Sequence, residues 1–185
     1  MPKVDVVEIR NFKAGETSRL TITCKNKDTG VAKNPTAVSG VIFDPDRKIT
    51  GTADSGSTTT LVDLTLATDW PTNSQLVGMT IEVTDATDGT KQETEITAHT
   101  GATGALTFGA LSFTVAVGDT YEILGWPLLT WQAASDITTN TFGFDISPSN
   151  VLSRRGSRAL SAHVTFSATD IAECYGEFSV ESSKP

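Results

Sequence analysis

Only two cysteines and two histidines occur in 185 residues, and the 14 basic side chains are outnumbered by 22 acidic ones. Each shortage excludes something. Neither Cys24 nor Cys174 belongs to a CxxC pair or a Cys/His cluster, so a zinc-type centre is not expected. A net charge of -8 is the wrong sign for a surface that displaces counterions from phosphates, so no nucleic-acid partner is expected. No apolar run approaches the ~20 residues of a membrane span. The opening "MPKVDVVEIRNF" carries Lys3, Asp5, Glu8 and Arg10 instead of an apolar core, so it does not read as a signal peptide. With 38% hydrophobic and 19% charged residues the chain is apolar enough to fold.

Helical periodicity is also scarce. Nearly every patterned segment has period two, the repeat that puts alternate side chains on one face of a strand. Candidate strands cover residues 4–10, 19–24, 38–43, 60–66, 76–84, 92–99, 105–108, 121–124, 141–146, 160–166 and 176–181. Turn-forming stretches separate them, among them "KDTG", "DPDRK", "TDATDGT", "HTGATG", "AVGD" and "SPSN". Leu160, Ala162, Val164 and Phe166 fall on one face with Ser161, His163 and Thr165 on the other, and Phe142, Phe144 and Ile146 align in the same way. In "KQETEITAHT" the dry side, Gln92, Thr94, Ile96 and Ala98, is thin, which suits an edge. "SPSNVLSRRGSRAL" and "SATDIAEC" each allow one helical turn behind a Ser or Thr cap.

Arginine is missing altogether from residues 50–125, where Lys91 and His99 are the only basic or imidazole groups; the other 13 Lys and Arg lie outside. This middle stretch, rich in Thr, Gly, Asp and Ala, holds about five short strands in ~75 residues, the size of a small barrel or meander. Residues 1–49 and 126–185 together supply six or seven strands in ~110 residues, the size of an immunoglobulin-like sandwich. The expected fold is therefore all-β: a sandwich built from 1–49 and 126–185, interrupted in one loop by an inserted small β-barrel or meander domain, 50–125.

The stretch "GTADSGSTTTLVDLTL…LVGMTIEVTDATDGTKQETEITAHTGATGALTFGALS…VAVGDTYEIL" resembles a small β-module found in structural proteins of tailed bacteriophages and prophages. The flanks, with "AGETSRLTITCKNKDTG" and "GEFSVES", are similar to immunoglobulin-like domains of virion accessory proteins. The resemblance implies a virion component assembled in the host cytoplasm, whose partners are the major capsid protein or neck and tail proteins, with homo-oligomerisation allowed. It implies no catalytic residues and no cofactor. "GWPLLTW" has no counterpart in that pattern.

Candidate site residues have ordinary readings beside the functional ones. Asp44 and Asp46, or Asp85 and Asp88, offer oxygens to calcium, but neither stretch has the 6–8 ligands such a cation takes, and Asp-Pro and Asp-Gly are turn chemistry. No metal site is expected. His99 and His163 have no nucleophile beside them and read as solvated or partner-contacting. "GATGALTFG" lacks the helix that makes a phosphate cradle. Cys24 continues the apolar face of Leu20 and Ile22, as a small buried hydrophobe, with a disulfide to Cys174 as the alternative in oxidising surroundings. The cationic cluster Arg154, Arg155 and Arg158 is a candidate protein interface. Trp126 and Trp131 are candidates for the seam between the two domains, or with Trp70 for a sugar-stacking platform.

The function expected is thus non-enzymatic: a capsid decoration or head/neck accessory protein. The alternatives are a fibre-type adhesion module binding host-surface glycans and, with no visible acid–base pair, a hydrolase.

Overall fold

The computed structural model describes residues 12–13, 18–25, 29–134, 136–138, 140–146, 149, 151–152 and 156–181. The strand expected at 4–10 lies outside the described residues. The protein is almost all β, 57% strand against 4% helix, in several antiparallel sheets with no closed barrel, a sandwich-like architecture. Its chain divides into two units by packing: 1–44 with 132–185, and 45–131. The sequence places the breaks at 49/50 and 125/126. The packing boundary lies further out because Ile49–Thr52 pairs with Thr120–Ile123 and so belongs to the insert.

The flanking unit has a sheet ordered β1–β15–β14–β3, from β1 (Phe12–Lys13), β3 (Ala37–Asp44), β14 (Gly156–Ser167) and β15 (Asp170–Glu181), and β11 (Trp126–Ala133) runs across the boundary at 131/132. A smaller one is ordered β12–β13–β2, from β2 (Ser18–Thr23), β12 (Asp136–Thr138) and β13 (Thr141–Ile146). Pairing is antiparallel from β15 to β3, while β1 runs parallel to β15. The long β14–β15 hairpin turns on two residues, Ala168 and Thr169, where the sequence allows a helical turn; β14 likewise replaces the other expected turn from Gly156 on.

Leu160, Ala162 and Val164 are buried as their alternation requires, but Phe166 leaves that face. The register shifts between Thr165 and Ser167, and a bulge of this kind turns the side chain aside. Phe166 lies instead under Lys33 Nζ, 4.0 Å from its ring centroid. From the smaller sheet, Phe142, Phe144 and Ile146 are buried beside Leu20 and Ile22, with the two phenyl rings edge to face at 6.1 Å. The Phe144 ring reaches the larger sheet at Gly40: a Cβ there would stand 3.1 Å from the ring tip and 2.8 Å from Ala162 Cβ. Gly40 is thus what lets the sheets close over the aromatic core.

The inserted unit is one seven-stranded sheet, ordered β4–β10–β7–β8–β9–β6–β5. Its strands are β4 (Ile49–Thr52), β5 (Ser55–Gly56), β6 (Thr60–Val62), β7 (Thr80–Thr84), β8 (Lys91–Thr100), β9 (Ala105–Phe108) and β10 (Thr120–Ile123). The two edge strands, β4 and β5, are separated in the chain only by Ala53 and Asp54. The sheet must therefore curl until its edges nearly meet, although no ladder closes it into the barrel that was one expectation. Leu61, Leu76, Met79, Ile81, Ile96, Leu106 and Ile123 fill the inside. Each such side chain contributes ~1.5–3 kcal/mol on burial.

Two strand expectations are corrected here. The alternation of 60–66 stops at Val62, because Asp63 caps a short helix, α1 (Leu64–Asp69), by accepting from the Thr65 amide at 2.7 Å. Of 76–84 only Thr80–Thr84 is strand; residues 74–79 turn, with Val77 N–H and Met79 N–H bonded to the Ser74 and Leu76 carbonyls.

Candidate functional site

The pleat of β4, β10, β7 and β8 puts Tyr121, Ile123, Ile81 and Val83 inside and leaves a row across the outer face: Thr50, Glu122, Glu82 and Glu93, each directly opposite the next. Like charges opposite one another are unfavourable. Two lysines offset the repulsion. Lys48 pairs with Glu122, and Lys91 Nζ meets Glu82 Oε1 at 2.6 Å. The Lys48 ammonium holds the Glu122 carboxyl below the usual carboxylate range, and the bond to Glu82 raises Lys91. Around this row lies a shallow hollow of 320 Å³, edged by Thr52, Thr84 and Thr120. It offers carboxyl groups, an ammonium and hydroxyls in the open, which suits recognition of a polar surface.

Beneath the hollow, Tyr121 Oη donates to Asp63 Oδ2 at 2.7 Å, both residues being buried. Burial, then the Asp63 carboxylate, pushes the phenol far above its ordinary value. A second buried carboxylate, Asp119, accepts from the Ala86 amide at 2.9 Å and the Ala116 amide at 2.8 Å. It pins the 116–119 turn to the 85–90 turn. Sequence reasoning missed both groups, although the aspartate of "TTTLVDLTL", standing where an alternation breaks, is the signal of an N-cap.

Asp85 and Asp88 are spent on turn amides, those of Thr87 and Thr90 at 2.7 and 2.8 Å. Asp44 lies 3.9 Å from Arg158, and Asp46 sits in the turn that opens the insert.

Arg154 and Arg155 lie outside the described residues. Arg158 corrects the expectation of an exposed cationic cluster: it is 3% exposed, donating from Nε to the Val151 carbonyl at 2.9 Å and from a terminal nitrogen to the Ser157 carbonyl at 2.7 Å. A guanidinium so enclosed holds its own unit together. Trp126 is half-buried, with Arg47 3.7 Å over its ring and Trp70 edge-on at 5.0 Å; Trp70 is buried and Trp131 half-buried. The face of Trp126 under Arg47 is closed to a sugar.

His163, on β14 opposite Glu173 of β15, is half-buried. His99 is the larger departure. The expected alternation puts Ala98 inside and His99 in solvent, whereas Ala98 is exposed and His99 is 3% exposed. The cause is a bulge between Ile96 and Ala98: Thr97 is an extra residue opposite β9, and the parity inverts beyond it. Neither ring nitrogen of His99 has a hydrogen-bond partner among the described residues, and burial lowers its pKa.

No family model, curated protein or solved structure matches the chain. No helix among the described residues is long and apolar enough to cross a membrane.

Proposed function

We propose that the chain is a non-enzymatic structural component of a tailed-phage virion, a capsid decoration or head/neck accessory protein that binds the major capsid protein or neck and tail proteins. The observation that carries this reading is the layout of the chain: a complete β-unit, 45–131, spliced between two segments that build one sandwich-like unit. The motifs resembling the phage β-module all fall in that insert or at its ends. Two further features support it. Four of the buried ionisable groups, Asp63, Tyr121, Asp119 and Arg158, are committed to scaffold contacts. The open hollow presents charged and hydroxyl groups that complement a polar protein surface. Many weak contacts of this kind, repeated on a symmetric particle, reach high avidity.

Proteomics of purified particles from the phage or prophage encoding the chain tests the proposal. The protein is expected in banded virions at a fixed ratio to the major capsid protein. Its presence in the lysate but absence from particles overturns the reading. A glycan array is expected to stay blank, and specific sugar binding would replace the decoration role with adhesion.

A further inference from the structure

The net formal charge of the chain sits on one of its two units. Residues 45–131 hold 11 of the 22 acidic side chains but only 3 of the 14 basic ones, Arg47, Lys48 and Lys91, a balance of -8. Residues 1–44 with 132–185 hold 11 of each sign and are neutral. Much of the acid in the insert is turned onto its own backbone: Asp54 accepts from the Leu64 amide, Asp63 from Thr65, Asp85 from Thr87, Asp88 from Thr90 and Asp119 from Ala116. The glutamates of the outer sheet face differ. Glu122, Glu82 and Glu93 stand side by side on β10, β7 and β8 and accept from no backbone amide among the described residues.

On that face the ladder aligns two rows. Thr50, Glu122, Glu82 and Glu93 form one, and Thr52, Thr120, Thr84 and Lys91 form the next. Lys48 takes Glu122 and Lys91 takes Glu82, so two of the three acidic side chains are matched. Glu93 is not. It is exposed, makes no hydrogen bond or ion pair among the described residues, and faces Glu82 across the β7–β8 pair. Such a like-charge pair is unfavourable in the free protein, and a cation brought in from outside would reverse its sign. The threonine hydroxyls lining the hollow beside it can donate or accept around an incoming group. The lining has no Val, Leu, Ile or Phe, so attraction here rests on charge and hydrogen bonds.

We infer that this face docks a basic protein surface, with a lysine or arginine side chain of the partner entering between Glu82 and Glu93. The inference rests on the virion reading for the partner's identity: the basic surface belongs to the capsid, neck or tail protein to which the chain attaches. Charge complementarity selects this occupant. A balance of -8 on the insert repels nucleic acid and anionic lipid, and it draws in a cationic partner. An ammonium or a guanidinium fork both suit paired carboxyl groups. Exposed ion pairs are individually weak and screened by salt, so one copy binds loosely and reversibly while a symmetric array of copies holds. The insert is then the attachment module and the neutral flanking unit is the body it carries.

Two arms of the test keep this inference apart from the virion reading. In the first, the isotope-labelled full chain is titrated with a short synthetic peptide alternating Lys and Ser, beside a Glu and Ser control peptide. The Lys peptide is expected to shift the amide resonances of Glu82, Glu93, Thr120 and Glu122 and to leave those of β14 in place, while the Glu peptide shifts none. Glu93→Lys is expected to weaken peptide binding about fivefold or more. Asp145→Lys makes the same charge change at a 70%-exposed position of the flanking unit and is expected to alter binding less than about twofold. Shifts spread over both units, or equal losses in the two variants, overturn the inference. So does a response of Glu82 and Glu93 to about 1 mM calcium chloride with none to the peptide, which would make the face a cation site. If Glu93→Lys does not fold, Glu93→Gln replaces it, with an expected loss of about twofold or more.

In the second arm, particles of the encoding phage carrying wild-type chain, Glu93→Lys or Asp145→Lys are washed in rising sodium chloride and the retained chain is counted. Glu93→Lys is expected to leave at lower salt than the other two, which leave together. Equal retention of all three at every salt concentration overturns the inference and leaves the virion reading standing. A peptide that maps to the face, together with particles that never contain the chain, overturns the virion reading and leaves the face as a site for a basic surface elsewhere.

Discussion

Tyr121 donates its phenol proton to Asp63 Oδ2 across 2.7 Å inside the inserted unit, while the other oxygen of that carboxylate caps α1. One aspartate thus ties the strand next to the β4 edge to the start of the helix that follows β6. Tyr121→Phe keeps the ring but strips Asp63 of a buried partner, and it is expected to destabilise the protein by about 1.5–3 kcal/mol. Thermal unfolding checks this; an unshifted midpoint would show the bond contributes nothing net.

Gly51 lies against that same pair. A Cβ on it would stand 2.4 Å from Tyr121 Oη and 2.5 Å from Asp63 Oδ2. Alanine normally improves on glycine in a strand by about 0.5–1 kcal/mol. Here Gly51→Ala is expected to reverse that sign, and a variant more stable than wild type in urea would refute the packing.

Asp119 holds two turns through its two oxygens. Asp119→Asn replaces one acceptor by an NH₂ that faces a backbone N–H, at an expected cost of about 1–3 kcal/mol. The local readout is amide hydrogen exchange. Ala86 and Ala116 are expected to exchange faster than in wild type, while the amides of β14, in the other unit, keep their rates. Unchanged exchange at both alanines would remove the clamp.

The all-β character was legible because period-two alternation depends only on which residues bury, and the aromatic triplet Phe142, Phe144 and Ile146 is buried as that alternation requires. What escaped depends on single-residue events that alternation cannot carry. One extra residue at Thr97 inverts the faces of Ala98 and His99; another at Phe166 turns that ring aside. Helix α1 was hidden because "LVDLTL" satisfies a strand pattern until Asp63 is seen to accept the Thr65 amide. Arg158 read as surface because charge on a serine-rich stretch is usually solvated. Only the fold shows the Val151 carbonyl waiting for it.

The inverted parity at His99 has a consequence for acid. The ring is buried with neither nitrogen bonded among the described residues, and desolvation lowers its pKa below the ordinary 6.5. The unfolded chain therefore binds a proton more readily than the folded one. Stability from this group is full above about pH 6.5 and drains away as pH falls below it, until the folded ring itself protonates. His99→Leu has no proton to take up and fills a similar apolar space. Urea midpoints at about pH 8 and pH 5 are expected to differ more in wild type than in His99→Leu, since carboxylate titration is common to both. Equal losses in the two proteins would mean that His99 finds solvent or a partner on protonation.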